Sequence, residues 1–149
     1  MTDLGALARE IIDASLYMVL GTADETGTPW ACPVYFAHAD YRRFFWVSNP
    51  DAQHSQNIET RREISLVIFD SGAAINTGQA VYMSAQAGRP AGTDTAADVE
   101  IFSRRAVAHG GRSWSAEEFS APGWLRLYHA RAMNHYVLDE RDHRVPVHP

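Results

Sequence analysis

The sequence predicts a mainly β domain: a small β-barrel with short helices at its connections. Apolar, strand-like runs recur along the chain and are punctuated by clusters of Gly, Pro, Asp and Asn. These runs are of hairpin length and follow one another closely, which favours antiparallel pairing and a closed or nearly closed sheet. The 149 residues suit one domain and contain no repeat, low-complexity tract or linker.

Each element has a local reason. Residues 3–14 read as a helix, because Thr2 or Asp3 can cap it and Leu4, Leu7, Ala8, Ile11 and Ile12 share one face. The period then changes, and 16–23 reads as a strand. Asp24-Glu25-Thr26-Gly27-Thr28 is a turn cluster in which Gly27 can supply a positive φ, so 29–38 completes a hairpin. A third strand, 43–48, is dense in aromatics: Phe44, Phe45 and Trp46. Ser48-Asn49-Pro50-Asp51 breaks it, and a short helix follows over 52–60 with Asp51 placed as its N-cap. Strands over 63–70 and 79–87 flank a loop, 71–78, that holds two glycines. A loop over 88–93 with Pro90 leads to a helix opened by Asp94 or Thr95, running to about 108 and ended by Gly110-Gly111. Residues 124–132 and 135–138 read as a last strand pair, and 140–149 as a polar tail with two prolines. The expected organisation is one domain over 1–149: an N-terminal helical segment 1–15, a barrel 16–139 and a tail 140–149.

Composition narrows the function classes. Hydrophobic residues make up 46% and charged residues 21%, in the ordinary globular range. The net charge of −5 argues against nucleic acid or an anionic membrane surface as partner, since both need a basic face. A single cysteine, Cys32, excludes an internal disulfide. The start, Met1-Thr2-Asp3-Leu4-Gly5, lacks the basic and apolar parts of a signal peptide, and no run reaches the roughly 18 apolar residues of a membrane helix. The expected setting is cytoplasmic.

Protein-borne catalytic signatures are sparse. There is no Gly-x-Ser-x-Gly elbow and no phosphate-loop motif, and no two of the seven histidines stand at the i, i+4 spacing of a zinc helix. No catalytic residue and no metal ligand is assigned. Cys32, inside a strand beside Pro33, reads as a small buried thiol. Arg104-Arg105 and Arg112 read as a solvated helix end. Trp30, Trp46, Phe44 and Phe45 read as barrel core or subunit interface, and Trp124 as packing or as the flank of a planar ligand. On pattern alone, Ser48, Gln53, His54 and Gln56 are polar residues of a loop and a helix surface.

One ordered series is more specific. It runs Leu20-Gly21-Thr22-Ala23, Thr28-Pro29-Trp30-Ala31-Cys32-Pro33-Val34-Tyr35-Phe36, Phe45-Trp46-Val47-Ser48, His54-Ser55-Gln56-Asn57-Ile58 and Ile64-Ser65-Leu66-Val67-Ile68-Phe69-Asp70. It continues in Gly78-Gln79-Ala80-Val81-Tyr82, Leu125-Arg126-Leu127-Tyr128 and Tyr136-Val137-Leu138-Asp139. This series resembles the pyridoxamine 5′-phosphate oxidase-like family, the FMN-binding split β-barrels. The resemblance implies a flavin-type split barrel, a homodimer with FMN at the subunit interface, and oxidoreduction of a small-molecule substrate. It implies cofactor contacts from Pro33, Val34, Tyr35, Val47, Ser48, Gln53, His54, Ser55 and Gln79. Ser48 matches the family's phosphate-binding hydroxyl, the backbone of 33–35 runs along the isoalloxazine ring, and Gln79 matches a glutamine that reaches the flavin.

The sequence departs from that family at the phosphate. A helix N-terminus suits an anion, but Asp51 as N-cap would compete for its N–H groups. Gln53, His54 and Gln56 stand where relatives carry cations. Losing two charge-assisted hydrogen bonds costs ~3–6 kcal/mol, or about two to four decades of affinity. A protonated His54, or a reach from Arg42, Arg43, Arg61 or Arg62, would offset part of this. The departure keeps three alternatives open: an F420-dependent reductase of the same fold, a non-catalytic flavin or haem carrier or sensor, and a scaffold with an empty cleft.

Overall fold

The structure, a computed structural model, describes residues 2–90 and 94–149. It opens with α1 (Leu4–Ala14), capped by Asp3, whose Oδ1 accepts from the Ala6 N–H at 3.1 Å. Ala8 and Ile12, four residues apart on one face, are fully buried. The hairpin follows as β1 (Tyr17–Ala23) and β2 (Pro29–Tyr35), joined by a turn in which Gly27 has φ 91°. The Asp24 carboxylate accepts from the backbone N–H groups of Thr26 and Thr28, which fixes that turn.

The remaining elements are β3 (Ala37–Ala39), β4 (Arg43–Ser48), α2 (Gln53–Thr60), β5 (Glu63–Phe69), β6 (Ala80–Gly88), α3 (Asp94–Ala108), a 3₁₀ turn (Ala116–Phe119), β7 (Arg126–Leu138) and β8 (Arg144–Val147). All strand pairs are antiparallel, in the order β2-β1-β5-β6-β7-β4-β3, with β8 added on β7. The two ends of that order, β2 and β3, are consecutive in the chain with only Phe36 between them. The expected strand over 29–38 is therefore two strands. At Phe36, which is fully buried, the chain leaves β1 for β4, and this change of partner closes the curled sheet. The expected split barrel is the fold observed.

Two further expectations are corrected. The strand pair over 124–132 and 135–138 is one strand, β7, with an extra residue at Met133: Ala132 faces Ala85 and Asn134 faces Ser84. That bulge switches the buried positions from Tyr128, Ala130 and Ala132 to His135 and Val137, so a period-2 reading sees a break where the strand continues. The tail forms β8, which pairs Val145 with Val137 and Val147 with His135. The expected loop over 88–93 begins inside β6, and its residues 91–93 lie outside the described ones.

The described residues form two cores. The barrel interior holds Met18, Leu20, Phe36, Phe44, Trp46, Leu66, Ile68 and Tyr128, with Ala8 and Ile12 of α1 packed against them. The second lies outside the barrel, where α3 and the 3₁₀ turn lay Val99, Phe102 and Phe119 on Ala37, Phe45 and Leu127. Both faces of β4 are thus covered, which explains why its aromatics do not alternate with polar residues. Each large apolar side chain so buried contributes ~1.5–3 kcal/mol.

Candidate functional site

β4 stops at Ser48 because Pro50 has no N–H to donate and Asn49 folds the chain back, its Oδ1 accepting from the Asp51 N–H at 2.9 Å. The N-cap of α2 is then Ala52, without a side-chain hydrogen bond. Asp51 is not the cap, so the expected competition for the first-turn N–H groups does not occur.

The buried face of α2 carries His54, Ser55, Asn57 and Ile58. His54 Nε2 and Ser48 Oγ share a buried hydrogen bond of 2.8 Å. Burial pushes the His54 pKa down, so the neutral imidazole is favoured. Gln53 points along the helix instead, its Nε2 donating to Asn57 Oδ1 at 2.8 Å, and Asn57 Nδ2 donates in turn to Thr22 Oγ1 at 3.0 Å. Ser55 is fully buried, and its hydroxyl has no hydrogen-bond partner among the described residues.

Beside Ser48 and His54 opens a cleft of about 610 Å³. One wall is β2 with Cys32, Pro33, Val34 and Tyr35, continued by Leu16 and Tyr17. The floor is Val47, Ser48 and His54. The opposite wall is an arm made of the last turns of α3 and the loop after it: Phe102, Ala106, His109, Arg112 and Trp114. Of the nine sequence-predicted residues, Pro33, Val34, Tyr35, Val47, Ser48 and His54 line this cleft; Gln53 and Ser55 sit beside it on α2 without lining it. Gln79, just before β6, lines other depressions, one with Val67, Asp70, Tyr82 and Asp139. Trp124 is 68% exposed and does not line the cleft. The Cys32 thiol is half-buried and its pKa is raised by burial, which disfavours the nucleophilic thiolate.

The arm is what sequence reading missed. Gly110, at φ 83°, and the Gly111 N–H donating to Ala106 O at 2.8 Å end α3 and turn the chain across the cleft. Tyr35 Oη and His109 Nδ1 share a hydrogen bond of 3.1 Å over the cleft, and the Tyr35 pKa is raised chiefly by burial, with Arg105 opposing. The three arginines expected at a solvated helix end have three fates. Arg104 is exposed and pairs with Glu100 at 2.9 Å. Arg105 is half-buried, donates to the Phe36, Ile12, Asp13 and Ser15 carbonyls, and lies 4.4 Å from the Phe36 ring centroid. Arg112 stacks 3.5 Å from the Trp114 ring centroid and pairs with Glu118 at 2.8 Å. The available signal was Gly110-Gly111 flanked by His109, Arg112 and Trp114, a recognition set on a turn.

Among the described residues lining the cleft, Arg112 is the only Arg or Lys, and no Asp or Glu is present. No described cluster of three or more His, Cys, Asp and Glu is set to hold a metal, and no described helix is long and apolar enough to cross a membrane. The result is an aromatic-walled slot with hydrogen-bonding groups at its floor and one guanidinium on its rim. It suits a planar ligand with an anionic group.

The family model described as pyridoxamine 5′-phosphate oxidase matches residues 4–135. A search of curated proteins finds no match. Among solved structures, a haem binding protein from Mycobacterium smegmatis is similar at TM-score 0.77 and 17% identity, covering 99% of this chain and 59% of that one. This chain thus spans less than two thirds of that protein. HutZ, a haem storage protein from Vibrio cholerae, is similar at TM-score 0.69 and 16% identity, covering 88% and 91%. General Stress Protein 26 from Bacillus anthracis reaches TM-score 0.67 at 12% identity, covering 98% and 100%. At these identities the likeness is one of fold.

Proposed function

The chain belongs to the pyridoxamine 5′-phosphate oxidase family, and on that premise we propose that it binds FMN in this cleft and uses it for oxidoreduction of a small molecule. The observation that carries the reading is the convergence of Pro33, Val34, Tyr35, Val47, Ser48 and His54 on one slot of about 610 Å³. The backbone of 33–35 flanks the flavin ring. Ser48 and His54 add neutral hydrogen-bonding groups at the floor, beside a helix start whose N–H groups no side chain caps. When bound, the flavin supplies the redox chemistry, and the protein supplies position and electrostatics. The active unit is a homodimer, its second copy covering exposed apolar residues such as Tyr17 and Phe69.

His109 supports a second reading, a haem or flavin carrier. In the tautomer that donates Nδ1–H to Tyr35 Oη, its Nε2 keeps the lone pair that an iron ligand needs. Two of the similar structures are described as binding or storing haem.

Titration of the purified protein with FMN, F420 and haemin separates the readings. The flavin reading expects saturable FMN binding with flavin absorbance retained through gel filtration at micromolar protein. Saturable haemin binding that His109→Ala abolishes, with no binding of FMN or F420, would replace it with the carrier. A monomeric mass in solution at micromolar concentration counts against the dimer.

A further inference from the structure

The two sides of the cleft differ in charge. On α2, Gln53 is committed to Asn57, and burial holds His54 toward its neutral form. Across the cleft stands Arg112. We propose that Arg112 is the anion-binding residue of this site, taking the phosphate of FMN in place of a cation on α2 and leaving Glu118 to do so. The inference rests on the flavin reading above.

Four observations carry it. First, Arg112 lines the cleft with a side chain that is 57% exposed, and turning inward exchanges its Glu118 ion pair and its 3.0 Å bond to the Ser113 carbonyl for the phosphate. Second, its platform is fixed. Trp114 is held at its backbone by Ser103, whose hydroxyl accepts from the Trp114 N–H at 2.7 Å and donates to the Trp114 carbonyl at 2.9 Å. Third, Glu118 keeps a partner when Arg112 leaves, because its carboxylate also accepts from the Ser115 N–H at 2.8 Å. Fourth, other arginines near the site are engaged elsewhere: Arg43 with Asp98, Arg61 with the Glu25 carbonyl, and Arg105 with carbonyls at the end of α1 and at Phe36. A planar guanidinium is suited to two parallel hydrogen bonds to phosphate.

FMN and riboflavin share ring and ribityl chain and differ by the phosphate, so titrating both isolates that group. The wild-type protein is expected to prefer FMN over riboflavin by at least about tenfold. Arg112→Gln is expected to lower FMN affinity ~10- to 100-fold and leave riboflavin affinity unchanged, the latter also showing that the variant folds. Glu118→Gln keeps an acceptor for the Ser115 N–H but removes the competing charge, and is expected to raise FMN affinity several-fold. An Arg112→Gln protein that retains the FMN preference, or loses both flavins equally, overturns the proposal while the flavin reading stands. So does a wild-type protein that binds both flavins alike. A wild-type protein that binds neither sinks the flavin reading, and this inference with it.

Discussion

The cleft is built from two regions with opposite histories in the chain. α2 follows closely on β4, and polar side chains at the junction beside the site are engaged within the fold: Ser48 with His54, and Gln53 with Asn57, which continues to Thr22. The arm arrives from far along the sequence and is tied back by long-range contacts, Arg105 to Phe36 and Ser15, and His109 to Tyr35. The nearer region therefore gives the cleft its shape and neutral hydrogen bonds, and the remote one brings its charge. The comparison teaches that a helix in the expected place need not carry the expected chemistry when its side chains already satisfy one another.

The largest effect should come from cutting the arm loose. Arg105→Met keeps the stem over Phe36 but strands the Phe36 and Ser15 carbonyls, and should cost about 3 kcal/mol in urea unfolding. Ligand affinity should fall with it, because the cleft wall of Phe102, Ala106, His109, Arg112 and Trp114 depends on the arm's placement. A loss below about 1 kcal/mol would mean that the second core alone seats α3.

On the α2 side, Ser48→Ala leaves the buried His54 Nε2 without its partner and should cost ~1–2 kcal/mol. A double-mutant cycle with His54→Leu should give a coupling of about 1 kcal/mol; additivity would deny the pair. Acid should expose the same bond. His38, His54, His129 and His135 all have pKa values lowered mainly by burial. A histidine depressed in the folded state contributes stability that is present above its unfolded value near 6.5 and is lost as pH falls through the lower folded value. Melting temperature should therefore drop as pH falls below about 6.5, and His54→Gln should flatten that slope. An unchanged slope would put the acid sensitivity on the other three.

The smallest effect tests the comparison most sharply. Gln53 does not line the cleft, so Gln53→Lys should change FMN affinity less than about twofold, despite restoring a cation at the family's position. A tenfold tightening would return the phosphate to α2.

Much of the fold was legible. A cap at Thr2 or Asp3, Gly27 at positive φ, Gly110-Gly111 at a helix end and the alternating strands are local matters of capping, turn chemistry and period. What resisted reading were places where one residue interrupts a pattern, Met133 in β7 and Phe36 between β2 and β3, because a bulge or a change of partner looks locally like an end. The tail was read as polar, yet Val145 and Val147 find a place on β7 once that strand exists.

The sequence carried the split barrel through its strand pattern and, through resemblance, membership in the pyridoxamine 5′-phosphate oxidase family; of the nine residues that the resemblance implied, six line the cleft. The strand pattern is written in residue type and spacing along the chain, and the cleft residues follow from the resemblance. Only the tertiary structure decided which cation faces that cleft. Arg104, Arg105 and Arg112 look alike in sequence, and their fates depend on what lies across from them once the barrel has closed: a neighbouring Glu100, the carbonyls at the end of α1, and the open rim beside Trp114.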